Sequence, residues 1–197
     1  MFQHFSSFAL KSGRDFGSIF LLIGLVSLPV GAAEAQGKKP LRILLVTGGC
    51  CHHYAFQTQA LEEAVAKLAQ ADWTVVNEGG NGTKAQIQLY EKPDWSKGFD
   101  LVVHNECFAD TTDHEYIRKI TQAHKAGVPA VVIHCAMHTY RATDIDDWRE
   151  FLGVTSRRHD HQSRYPVKNA EPQHAIMKGM PDLCLTPGRT QKPVSSP

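Results

Sequence analysis

Three apolar runs in this chain each stop at a cluster of chemically capable side chains, and that repetition constrains the fold more than any single motif. Ala130-Val131-Val132-Ile133 is β-branched, follows Gly127 and Pro129, and runs into His134-Cys135-Ala136-Met137-His138. A short run of this kind reads as a buried strand of a parallel sheet. Leu41-Arg42-Ile43-Leu44-Leu45-Val46 likewise runs into Thr47-Gly48-Gly49-Cys50-Cys51-His52-His53, and Phe99-Asp100-Leu101-Val102-Val103 runs into His104-Asn105-Glu106-Cys107. Open α/β sheets bind ligands at the carboxyl ends of their strands. Parallel pairing of the three runs therefore predicts one rim carrying His52, His53, His104, Glu106, His134, Cys135 and His138. A single strand-end imidazole or thiol is ordinarily a hydrogen-bonded loop residue; recurrence at three strands is what points to a site.

The intervening segments supply the helices. Over residues 55–70, Leu61, Ala64, Val65 and Leu68 recur at helical spacing and predict one buried face. Residues 73–77 read as a short strand, and Gly79-Gly80-Asn81-Gly82 as a turn rather than a phosphate cradle, since no helix with a Lys-Ser or Lys-Thr follows in register. Thr112-Asp113-His114-Glu115 has capping-box form, Ile117, Ile120 and His124 continue the inner face, and Gly127 ends the helix. Residues 145–152 predict a further short helix closed by Gly153, and residues 165–168 an edge strand. Strands alternating with helices predict a doubly wound, mostly parallel α/β sheet of flavodoxin-like type. The Pro-, Ser- and Thr-rich segment 183–197 lacks periodicity and is expected to be disordered.

A chain of 197 residues with 42% hydrophobic content is long enough for one domain with a substantial core, and a net charge of +1 offers no electrostatic footprint for nucleic acid. Lys11 and Arg14 precede an apolar run over residues 19–30 that ends in Ala33-Glu34-Ala35. This has the form of a secretory signal over residues 1–35, cleaved before Gln36 and followed by a linker at residues 36–40. The alternative is a retained anchor, but the run is shorter than the roughly 20 apolar residues that a spanning helix needs. The expected destination is the periplasm or the exterior, with no membrane insertion after cleavage. Export favours disulfides, and five cysteines leave one over if all pairing is internal. Cys50 and Cys51 can join only through an eight-membered ring, whereas Cys107 and Cys135 follow strands that can be neighbours.

Gly48-Gly49 with His52, the element Gly127-Val128-Pro129-Ala130-Val131-Val132-Ile133-His134, Trp148 with Phe151-Leu152-Gly153, then His159, and finally His174-Ala175-Ile176 together resemble the ThuA-like family, named for trehalose utilisation. The likeness spans residues 41–182 and implies the fold of class I glutamine amidotransferases and a role in carbohydrate metabolism. This chain has His174-Ala175-Ile176 where the family usually has His-Pro-Ile. The resemblance also implies strands beyond Asp182, relative to which the domain at residues 41–182 is C-terminally incomplete.

Three chemistries suit the rim. Cys135 with His134 or His138 suits a nucleophile, but Ile133 and Met137 occupy positions where a nucleophile elbow needs glycine, and no downstream His-x-Glu pair is present, which argues against glutamine hydrolysis. His52, His104, His134 and His159 come from different strand ends and suit Zn or another divalent ion, with Glu106 as ligand or general base in hydrolysis. His138, Tyr140, Arg141 and Trp148, with Trp95 and Asp144, suit recognition of a small carbohydrate. The expected function is thus metal- or His-assisted hydrolysis or modification of a sugar derivative, with a non-catalytic sugar-binding domain or an inactive shortened family member as alternatives; homo-oligomerisation is left open.

Overall fold

The computed structural model describes residues 39–158, 161 and 164–185, so the expected signal segment, His159 and residues 186–197 lie outside the described residues. The elements are β1 (Leu41–Gly49), α1 (Tyr54–Ala66), β2 (Ala71–Asn77), β3 (Leu101–Cys107), α2 (His114–Lys125), β4 (Ala130–Val132), α3 (Asp147–Leu152), β5 (Tyr165–Val167) and β6 (Leu183–Leu185). Four strands pair in parallel in the order β2-β1-β3-β4. The chain goes from β1 to β2 on one side and reaches β3 on the other, which makes the carboxyl ends of β1 and β3 the topological switch point of a flavodoxin-like sheet.

The two-residue period of β1 explains the layers. Ile43 and Leu45 pack with Val103 against Leu61 and Val65 of α1. Leu44 and Val46 face the other way, with Val102, onto Tyr116, Ile117 and Ile120 of α2 and Trp148 of α3. Both faces of β1 are thus covered, and each of its buried side chains Ile43, Leu44, Leu45 and Val46 contributes on the order of 1.5–3 kcal/mol.

Several boundaries differ from those the sequence suggests. Helix α1 ends at Ala66, so Leu68 lies past its cap and is 89% exposed. Helix α2 is capped by Asp113, whose Oδ1 accepts from the Tyr116 amide at 3.0 Å, one residue later than the Thr112 box predicts. Strand β4 is a three-residue edge strand with Val131 46% exposed, since no further strand among the described residues pairs with it. β5 forms at the predicted place and pairs antiparallel with β6, so Leu183–Leu185, the start of the segment expected to be disordered, is a strand. The prolines of that segment all follow Leu185 and cannot interrupt this ladder. No helix among the described residues is long and apolar enough to cross a membrane.

At the switch point the backbone crowds. Gly48 (φ 137°) and Gly49 (φ 95°) turn the chain out of β1; a Cβ on Gly48 would collide with the Glu78 carbonyl oxygen, and one on Gly49 with the Cys107 carbonyl oxygen. The Gly49 amide donates to the Gly80 carbonyl at 2.9 Å and the Cys50 amide to the Cys107 carbonyl at 3.4 Å. Gly49→Ala is therefore expected to cost about 2 kcal/mol or more, lowering Tm by roughly 5 °C, because backbone rather than a flexible side chain must yield. Thermal unfolding followed by circular dichroism checks this, with Gly80→Ala, which meets open space, as the milder comparison.

Candidate functional site

Three short segments converge beyond the Gly48-Gly49 turn. Cys50 and Cys51 are joined by a disulfide between sequence neighbours, and His52 follows. His53 is the N-cap of α1, its Nδ1 accepting from the Phe56 amide at 3.0 Å, which gives this predicted rim histidine a capping role. Tyr54 is buried against Cys107 and Cys135, and its hydroxyl donates to the Cys50 carbonyl at 2.6 Å. Strand β3 ends at Cys107. After β4, Ile133 leads into His134, a non-glycine residue at φ 45°, and a turn of 3-10 helix over His134–His138.

Cys135 is the hub of this cluster. Its Sγ lies 2.9 Å from His52 Nε2, and the His52 and His134 rings are edge-on with centroids 5.0 Å apart. The ligand atoms of His52, His134 and Cys135 all lie within 4.8 Å of one another, and so do those of Cys107, Cys135 and His138. The first trio runs from exposed His134 through half-buried His52 to buried Cys135; the second is wholly buried. Soft thiolate and imidazole donors at this spacing can hold a divalent ion. His138 also places Nδ1 3.2 Å from Ser156 Oγ.

The thiols are electrically unequal. Cys107 and Cys135 are not disulfide-bonded, so the bridge the sequence allowed between them is absent; instead the Cys135 thiol donates to Cys107. That bond lowers the Cys107 pKa, with help from the Arg141 charge and against burial, whereas the same bond and burial hold the Cys135 thiol well up. Cys50 Sγ stands 3.8 Å from Cys107 Sγ.

His104 and Glu106 are elsewhere. The sequence places both on the rim, but β3 runs on to Cys107, so its alternation turns Val102, His104 and Glu106 toward the α2 side of the sheet, and both are 0% exposed. His104 Nδ1 lies 2.9 Å from Glu106 Oε1, and His104 Nε2 lies 2.9 Å from His124 Nε2. The Tyr90 hydroxyl donates to Glu106 Oε1 at 3.2 Å. His124 Nδ1 lies 2.9 Å from the Val128 carbonyl, which can only accept, so His124 donates there and its Nε2 accepts from His104. These residues form a buried polar network and not part of the His52, His134 and Cys135 cluster.

The residues expected to bind sugar are also largely internal. Tyr140 is 1% and Trp148 2% exposed, with ring centroids 5.1 Å apart, and Trp148 Nε1 donates to the Ala136 carbonyl at 3.1 Å. Trp95 is 5% exposed and its Nε1 donates to the Lys119 carbonyl at 3.3 Å. Arg141 is exposed but donates to the Arg157 carbonyl at 2.9 Å, while Asp144 pairs with His114 at 2.6 Å. Of the predicted metal set, His52 and His134 come together, His104 lies apart, and His159 is outside the described residues. The sequence reading gave Cys107 only a bridging role; its place as the last residue of a strand beside β1 was the available signal.

Burial pushes His124 from its ordinary 6.5 down to about 4. Below pH 6.5 the unfolded chain takes up a proton that folded His124 refuses, so the folded state loses stability as pH falls from 6.5 to about 4 and gains nothing from this group above that window. The loss should reach about 3 kcal/mol. Urea denaturation across that range should show the decline, and His124→Gln should flatten it.

No protein-family model matches the chain, and neither curated proteins nor solved structures provide a match.

Proposed function

We propose that this chain is a divalent-metal-dependent hydrolase acting on a small carbohydrate derivative at the carboxyl edge of its sheet. The observation that carries the reading is the convergence of His52, His134 and Cys135, with ligand atoms within 4.8 Å, at the switch point where flavodoxin-like sheets bind ligands. His52, His134 and Cys135 would hold a zinc ion through two imidazoles and a thiolate, and such an ion would supply activation of water for hydrolysis. Exposed His134 marks the side from which a substrate would arrive. The ThuA-like resemblance suggests the substrate class and, with the export signal expected over residues 1–35, an extracytoplasmic setting.

A second reading rests on the 2.9 Å contact of His52 Nε2 with Cys135 Sγ, which is hydrogen-bond length and suits a thiol nucleophile beside its base. Burial and the bond to Cys107 hold that thiol protonated, which weakens it as a nucleophile. A purely sugar-binding role has less support, because Trp95, Tyr140 and Trp148 are packed in the core.

Purified protein dialysed against zinc should retain about one ion per chain, and His52→Ala or Cys135→Ala should weaken retention roughly 10- to 100-fold. Hydrolysis of a panel of glycosides should stop with a chelator and return with zinc. His104→Ala should leave retention intact while destabilising the fold by about 2–4 kcal/mol, since it strips partners from buried Glu106 and His124. Metal-free protein that turns over glycosides unchanged would favour the thiol reading, and sugar binding without turnover the non-catalytic one.

A further inference from the structure

Four of the five cysteines gather at the switch point. Cys50 and Cys51 are oxidised to a disulfide, and Cys107 and Cys135 are a dithiol. A disulfide and a dithiol in contact are the reactants of thiol–disulfide exchange, and here no external group has to approach. Cys107 Sγ is already 3.8 Å from Cys50 Sγ, close to van der Waals contact. Cys135 Sγ is within 4.8 Å of Cys107 Sγ and 2.9 Å from His52 Nε2.

We propose that these residues form an internal thiol–disulfide relay in which the Cys107/Cys135 dithiol reduces the Cys50–Cys51 disulfide. Cys107 gives its proton to solvent and, as thiolate, attacks Cys50 Sγ; the Cys50–Cys107 bond forms, the Cys50–Cys51 bond breaks, and Cys51 leaves as a thiolate that takes up a proton from solvent. Cys51 is exposed, so the departing charge is hydrated at once. Cys135 then gives its proton to His52 Nε2 and attacks Cys107 Sγ, forming Cys107–Cys135 and releasing Cys50 as a thiolate, which recovers the proton from His52. Two electrons pass from the buried dithiol to the neighbouring pair, and no outside oxidant or reductant is consumed.

The exchange gives the site an outlet. In the second isomer Cys50 and Cys51 are thiols with Cys51 facing solvent, ready to reduce a low-molecular-weight disulfide: Cys51 attacks it and Cys50 closes the ring again, releasing two thiols. The chain would thereby act as a disulfide reductase for one turnover, its electrons drawn from Cys107 and Cys135. This inference does not rest on the metal reading, because the relay needs no ion.

Cys50 and Cys51, Cys107, and Cys135 fall on three different tryptic peptides, 43–67, 98–118 and 126–141. Full-length protein carrying one disulfide per chain is held without oxygen and with a chelator, quenched in acid, alkylated in denaturant and mapped by mass spectrometry. The expected wild-type result is a population linking peptides 98–118 and 126–141, with Cys50 and Cys51 alkylated in those same molecules. In Cys135→Ser the resolving thiol is gone, so a link between peptides 43–67 and 98–118 should rise at least several-fold above wild type. Oxidised glutathione should convert wild-type chains to the form holding both disulfides, releasing two thiols per chain. A wild-type chain that shows only the Cys50–Cys51 link, with Cys107 and Cys135 fully alkylated, overturns the relay and needs no variant to do so. Loss of zinc retention with the relay intact would count against the metal reading alone.

Discussion

The close approach of β1 and β3 at their carboxyl ends is the constraint on which the site depends. Gly48 and Gly49 leave β1 in conformations that L side chains rarely adopt, with no room for a Cβ against the carbonyls of Glu78 and Cys107. That contact brings the first residues after β1 beside the last residue of β3, and sets the Cys50 sulfur next to Cys107. The cluster follows from the backbone: His52 is delivered two residues beyond Cys50, and β4, paired in register with β3, delivers Cys135 on the other side of Cys107.

On the α2 side of the sheet lies a second polar assembly that looks similar in sequence and differs in physics. His104, Glu106, His124 and Tyr90 are enclosed by aromatic rings, among them Trp148, 5.3 Å from His104, and Phe151, stacked at 4.5 Å on His124. Glu106 Oε2 has no hydrogen-bond partner among the described residues, and the carboxyl's burial is offset through Oε1. Polar groups in such surroundings are costly unless partnered, and the bonds joining Tyr90, His104, Glu106 Oε1 and His124 offset that cost. This network ties β3 to α2 and supports the strand that carries Cys107.

The candidate site combines two chemistries in one place. Imidazole and thiol donors on its outer side have the character of a divalent-ion site, while a dithiol and a disulfide meet on its inner side. Cys135 belongs to both, and a sulfur that is bonded to another sulfur is no longer a thiolate ligand. Metal retention and the proposed exchange would therefore oppose each other through that one atom.

How much of this was legible in the sequence depends on the range of the interaction involved. The apolar runs, the helical spacing of Leu61 and Val65, and the Gly153 cap at φ 68° are local signals, and the doubly wound sheet follows from their order. The convergence of His52 with His134 and Cys135 was readable too, because strand ends in a parallel sheet must share an edge. What the sequence alone could not decide was where each strand stops. One more turn of pleat carries His104 and Glu106 from the edge into the core, and only pairing with β1 as far as Gly49 shows that β3 continues to Cys107. The same holds for Tyr140 and Trp148, whose amphipathic rings suit a sugar or a core equally; packing against Tyr116, His104 and each other decided for the core. That Cys107 meets both Cys50 and Cys135 was likewise a tertiary matter, since those sulfur contacts depend on distances between segments that only the folded sheet brings together.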